Sequence, residues 1–448
     1  MILTCGWISV ALISSALAFQ AESPDARAAE VKNAFQYAWT NYVNHTFGSD
    51  EIQPVTGMAS NSRNGWGASI FDGLDTLLIM GLKDEYEQAL EHVSKVNWRV
   101  SNDPSKTFET NIRYLGGLLS AYDLQPNPIL LSKALSLADQ VILPAFDTPN
   151  KIPASYVNVT TGKPVPGNQV FLAEFGSMQL ELVRLSQITG NSTYQELGLN
   201  IINRLAQVKP RYPGLYPMLW NLESFTPSDE TIQLNLWEDS VASMETYLKS
   251  TTANGTVFLG EINDDLKLLQ TGELICFIGG NILLGARYLN RPELDKFAKD
   301  LTDGCMTAWE KMPTGLAPEA WSWVDESQRL ETFPNDVRLA MQTFGFIPQD
   351  KSYDLRPETL ESLFYFYRIT GDKSYQDKAW KIFKSIDTYC KVQYGYSRVL
   401  DTTANDTFKY LYLIFSDPEL VSLDKYVFNT EAHPFKLPRP IQIQHTFS

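Results

Sequence analysis

Acidic residues recur in this chain where an apolar helix is about to begin, and several of these segments carry the residue types that acid–base chemistry on a hydroxyl-rich substrate needs. Residues 64–77, beginning Asn-Gly-Trp-Gly-Ala-Ser, present Asp72, and Phe-Glu-Thr-Asn-Ile-Arg (108–113) presents Glu109 with Arg113 four residues on. Glu174 lies in Leu-Ala-Glu-Phe-Gly-Ser (172–177) and Glu319 in Gly-Leu-Ala-Pro-Glu-Ala (315–320). Leu-Arg-Pro-Glu-Thr-Leu-Glu-Ser (355–362) holds Arg356 and puts Glu358 and Glu361 three apart on one helix face. Val-Phe-Asn-Thr-Glu-Ala-His-Pro (427–434) adds Thr430 and Glu431. A single acid in a first turn reads as an N-cap or a solvated dipole partner. A set recurring before apolar helices needs counter-groups: Arg113, Arg356, a divalent cation or sugar hydroxyls. Cleaving a glycosidic bond takes a carboxylic acid to protonate the leaving oxygen and a carboxylate to activate water.

The elements that must position these acids are helices almost throughout. Ser23-Pro24 is an N-cap followed by Pro, and Val31, Phe35, Ala38 and Tyr42 follow at helical spacing. The same periodicity predicts helices over 68–82, 85–97, 109–122, 130–143, 170–188, 193–206, 237–249, 273–289, 293–310, 357–370, 373–390 and 406–416. Strand alternation is convincing only in short pieces such as 255–260. Segments 182–205 and 363–386 both read Ile-Thr-Gly with Tyr-Gln four residues after the Gly, and looser copies occupy 77–93 and 283–298. Each is a helix, a Gly or Asn stop, a polar turn and a second helix. Hairpins repeated at irregular spacing predict one closed helical ring with decorated loops, whose helix ends converge on a central cavity.

The net charge of −15 argues against nucleic acid and suits a carboxylate pocket with a cation. Residues 1–18, ending Ala16-Leu17-Ala18, form an apolar run too short to span a bilayer and read as a cleaved signal peptide. No later stretch reads as apolar enough to cross a membrane, so a soluble monomer without stable membrane insertion is expected. Residues 19–448 carry no linker or low-complexity tract and read as a single domain. Sequons at Asn44, Asn158, Asn191, Asn254 and Asn405 suit a glycoprotein of the secretory pathway or a secreted one. Of four cysteines, Cys5 leaves with the signal, Cys276 and Cys305 bracket a predicted hairpin and can pair, and Cys390 is then a buried thiol.

Together, Phe-Glu-Thr-x-Ile-Arg-x-Leu-Gly-Gly, Leu-Arg-Pro-Glu-x-x-Glu-Ser and Phe-Asn-Thr-Glu-Ala-His-Pro make the chain resemble the class I α-1,2-mannosidases (glycoside hydrolase family 47) of secreted fungal type, from about residue 28 to 437. The resemblance implies an all-α, (α/α)7 toroidal barrel. It also implies one Ca2+ and inverting, calcium-dependent removal of α-1,2-linked mannose from high-mannose N-glycans. It assigns Glu109 to protonating the leaving group, Glu358 to activating water and Glu319 to a further acid position. Asp72, Glu174, Glu361 and Glu431 fall on pocket carboxylates, Thr430 on the direct calcium ligand, and Cys276 and Cys305 on the family disulfide.

Two departures follow from the same comparison. The family's Gly-Asp-Ser-Tyr/Phe-Tyr-Glu-Tyr-Leu helix start, whose Asp is a catalytic carboxylate, has no counterpart in residues 222–237; Asp229 and Glu230 are acidic there but lack its flanks. Near 402–410 the family's pocket Glu is replaced by Asp406, beside Asn405. The expected barrel is therefore short of part of one hairpin. A catalytically impaired, lectin-like mannose-binding relative is the alternative to an active enzyme.

Overall fold

The computed structural model describes residues 23–101, 104–226, 236–263, 266–398 and 406–439. The signal peptide, Asp229, Glu230 and the Asn405 sequon fall outside them.

Helices pair as predicted. Ala68–Ile79 with Lys83–Lys95, residues 107–124 with 128–145, residues 172–189 with Ser192–Leu205, residues 273–289 with Asp295–Lys311, and Glu358–Thr370 with Ser374–Tyr389 are consecutive hairpins. Asp406–Phe415 pairs instead with the first helix, Pro24–Thr46, which closes the ring. The Gly and Asn stops behave as the repeat requires: Gly190, Gly371 and Asn290 are left-handed C-caps. Burial separates two layers. Helix 68–79 buries every residue but Ser69 and Leu78, whereas 83–95 buries only the stripe Tyr86, Ala89 and Val93.

The inner helices touch in order around the ring. A Cβ on Gly117 would sit 2.2 Å from the Phe71 carbonyl oxygen, so Leu-Gly-Gly is what lets 107–124 lie against 68–79. Asn111 donates to Glu181 (2.8 Å), joining 107–124 to 172–189. The Gly280 amide donates to Ser362 Oγ (2.9 Å), joining 273–289 to 358–370. The Phe364 and Tyr410 rings lie 5.5 Å apart between 358–370 and 406–415, and Lys409 pairs with Asp75 (3.0 Å) to return to 68–79.

At the remaining station only one helix, residues 236–248, stands among the described residues. The chain passes from it into the antiparallel pair Lys249–Thr251 and Val257–Leu259. Among the described residues, then, no second helix pairs with it. The helix Asn335–Phe344, which buries no residue, was not anticipated.

Short sheets were underestimated, and they matter because they precede the acid-bearing helix starts. Ser105–Lys106 pairs with Tyr156–Asn158 just before Glu109, and Gln169–Phe171 with Leu219–Asn221 just before Glu174. Gln270–Gly272 pairs with Ala320–Ser322, which sets Glu273 beside Glu319. A hairpin of Tyr426–Phe428 and Pro434–Lys436 carries Thr430 and Glu431 at its tip.

Residues 128–145 correct one expectation, being long and apolar enough by composition to span a membrane. In the fold, Leu130, Ala134, Leu137, Ala138, Val141 and Ile142 are fully buried in the core. Cys276 and Cys305 form a disulfide, and Cys390 is a buried free thiol whose burial pushes its pKa up to about 12.

Candidate active site

Helix 68–79 begins without a side-chain cap of its own, because Gly67 is left-handed. Buried Asp50 replaces the cap, accepting from the amides of Arg63, Gly65, Gly67 and Ala68 at 2.7–3.1 Å. That anchor fixes Asp72. Three non-glycine residues in the left-handed region lie in the motif loops: Asn64, Leu355 and Ala432. Such backbone is held against its preference only where the surroundings over-determine it.

One group of acids gathers around Arg113. Its guanidinium binds Glu109 Oε2 (2.9 Å), Asp72 Oδ2 (3.1 Å) and Glu431 (2.8 Å), and Arg63 reaches the same Glu109 oxygen at 3.4 Å. Burial would raise the Asp72 pKa, but Arg113 and His433 outweigh it and hold the carboxyl below its ordinary value. Glu431 arrives there because Asn429 Oδ1 accepts from the amides of Glu431 and His433 (both 2.9 Å), tying the hairpin tip into a turn. A Cβ on Gly116 would lie 2.7 Å from Asn429 Nδ2, so the second half of the Gly-Gly pair admits the hairpin. Glu174 pairs with Lys106 (2.8 Å), whose charge also interacts with Glu109.

A second group forms around Arg356, which binds Glu319 Oε1 at 2.6 and 2.8 Å. Glu358 opens the next helix, and its Oε2 is buried without a donor. Burial raises its pKa, while Glu273, its backbone contact and Arg356 partly offset the rise. Glu361, one turn on, is pushed up to about 8, by burial and then by the Glu358 charge. All nine predicted catalytic and binding residues therefore fall into two carboxylate–arginine groups with Glu174 alongside the first. Thr430 is exposed at the hairpin tip. Among the described residues no trio of His, Cys, Asp or Glu forms a metal cage, so a cation there would meet hard oxygens from Thr430 and water. Asn44, Asn158, Asn191 and Asn254 are exposed.

Several residues escaped the sequence reading. Asp75, Lys409 and His433 form a fully buried charged triad beneath the first group: Lys409 Nζ is 3.0 Å and His433 Nδ1 2.7 Å from Asp75. Asp75 lies three residues after Asp72 and His433 inside a quoted motif, so both were within sight. Glu273 opens an apolar helix like the other acids. Asp239-Ser240 follows residues 222–237 directly, in the first turn of 236–248.

A ring of helix hairpins with carboxylates at its helix starts defines the architecture of barrel glycosidases. The sequence pattern of glycosyl hydrolase family 47 matches residues 34–241 and again 225–437, and the chain belongs to that family. The two matches overlap at 225–241, so one stretch is claimed by both flanks at the station with a single helix. The chain is 32% identical to mannosyl-oligosaccharide alpha-1,2-mannosidase 1B of Aspergillus phoenicis, over 93% of this chain and 92% of the relative. It is 35% identical to mannosyl-oligosaccharide 1,2-alpha-mannosidase MNS1 of Arabidopsis thaliana, over 92% and 79%. The solved alpha-1,2-mannosidase from Trichoderma reesei superposes with a TM-score of 0.85 at 32% identity, over 93% of this chain and all of that one.

Proposed function

We propose that this protein hydrolyses terminal α-1,2-linked mannose from high-mannose N-glycans, with inversion and with the help of calcium, in the secretory pathway or outside the cell. The observation that carries the reading is the placement of Glu109 and Glu358 at non-neighbouring stations of the ring, with helices 406–415 and 68–79 between them. An inverting pair stands about 6.5–9.5 Å apart, carboxyl to carboxyl, to leave room for water opposite the leaving group.

In this mechanism Glu109, held by Arg113 and Arg63, gives its proton to the glycosidic oxygen, directly or through a water. Glu358 takes a proton from water on the opposite face of the sugar through its carboxylate. The water oxygen forms the new bond to the anomeric carbon as the old bond breaks. Asp72, Glu174, Glu319, Glu361 and Glu431 offer acceptors for sugar hydroxyls. Bound at Thr430, calcium would supply a positive charge that organises water and sugar oxygens.

The test is to incubate purified protein with a high-mannose glycan and calcium, with and without chelator. Mannose release that stops on chelation is expected. Glycan binding without release would favour the lectin-like alternative, and neither binding nor release would refute both.

A further inference from the structure

Glu273 is the acid that the mechanism leaves unused, and it lies against the residue assigned as base. It is fully buried. Its Oε1 accepts from the Thr359 amide (3.1 Å) and the Thr359 hydroxyl (2.6 Å), so it is tied to the residue that follows Glu358. Trp309 Nε1 donates to the same hydroxyl (3.1 Å) and locks its rotor toward Glu273. Its own amide donates to the Glu319 carbonyl (3.1 Å), continuing the strand pair that precedes it. Glu273 Oε2 and Glu358 Oε2 are both buried, and no N–H or O–H from the protein reaches either. The bonds to Thr359 set the Glu273 carboxyl against that of the preceding residue, Glu358, and each acts on the other. Two facing carboxylates without a donor are not stable in a dry site; one proton between them satisfies both orphan oxygens.

We propose that Glu273 is a positioning residue, the protonated member of a buried Glu273–Glu358 pair, which donates a hydrogen bond to Glu358 and keeps it as the ionised, aimed partner. The asymmetry has a structural cause. Glu358 has the Arg356 guanidinium nearby, whereas the charge that Glu273 meets is that of Glu358. Burial and then the Glu358 charge drive Glu273 well above the ordinary carboxyl range, in the same direction. Glu319 also faces Glu358, and its like charge adds to the pressure for one shared proton, while Glu361, raised by burial and by Glu358, holds its own proton. The pair titrates as a unit, so its active form is the singly protonated one.

The inference rests on Glu358 being the base, so two readouts are needed. The first is the infrared carboxylic-acid C=O stretch of the resting protein near neutral pH, which requires no turnover. Subtracting the spectrum of Glu273→Gln from the wild type should leave one acid band. If the difference contains only a carboxylate band, Glu273 is ionised and the proposal is overturned. The second is the pH profile of kcat/KM. Glu273→Met removes the donor and should move the acid limb up by about one unit, with roughly a tenfold loss on that limb. Glu273→Gln, a neutral donor of the same shape, should return the limb to its wild-type position. A role confined to folding would lower the folded fraction but leave the limb in place in both variants, and that result would refute the assignment. If the wild type releases no mannose, the reading of the site fails while the infrared band still decides where the proton lies.

Discussion

Replacing Lys409 by Met tests how the site is held from beneath. Lys409, Asp75 and His433 are all completely buried. Lys409 Nζ meets both Asp75 oxygens (3.0 and 3.3 Å) and the carbonyl of Glu431 at the hairpin tip (3.3 Å). Removing one member of a buried ion pair leaves an uncompensated charge and costs about 3–5 kcal/mol. Asp75 would retain Ser120 Oγ (2.8 Å) and His433 Nδ1 (2.7 Å), and His433 can carry a proton, so the expected loss is at the lower end, about 3 kcal/mol. Burial alone would raise the Asp75 pKa, but Lys409 and His433 overcome it and hold the group far below the usual carboxylate range. Its contribution is therefore present above the unfolded value near 4 and is lost as the pH falls through the folded one, so the gap between wild type and variant should close in acid. Urea unfolding followed by circular dichroism at pH 7 measures the loss. Adding Asp75→Asn to Lys409→Met should recover at least about 1 kcal/mol relative to the sum of the single losses. A Lys409→Met loss under about 1 kcal/mol, or strict additivity in the double variant, would refute the reasoning.

Two further outcomes are expected. Asp239 lies in the first turn of helix 236–248, followed by Ser as in the Asp-Ser helix start that the resemblance implies, and its charge reaches Tyr216; Asp239→Asn should lower kcat by about a hundredfold or more. A change under threefold would make it a surface acid. Glu361 binds its proton up to about pH 8 in the fold, against an ordinary value of 4.5, so its contribution is complete below pH 4.5 and lost as the pH rises through 8. Thermal unfolding at pH 5 and pH 8 should show a smaller drop for Glu361→Gln than for the wild type, and an equal drop would contradict the burial argument.

The helix hairpins were legible because each carries its own punctuation: Gly190, Gly371 and Asn290 stop helices by adopting a backbone that few other residues accept. The two carboxylate groups were legible because Glu109, Glu358 and Glu431 sit in segments whose acids interrupt apolar faces. The short sheets were not, since two- and three-residue strands have too little alternation to register and depend on partners tens of residues away. The triad of Asp75, Lys409 and His433 was missed for the same reason: Asp75 meets the other two across more than 330 residues of chain. Glu273 was not singled out, because its contact with Glu358 depends on partners 86 residues away, the Thr359 amide and hydroxyl.

The central claim is that this protein cleaves an α-1,2-mannosyl bond with Glu358 as the base. Time-resolved proton NMR of α-1,2-linked mannobiose, incubated with the protein and calcium, tests it directly. The account predicts free mannose whose β-anomer appears first and whose appearance is abolished by Glu358→Gln. Release of the α-anomer first, undiminished release by the variant, or no release by the intact protein would contradict it.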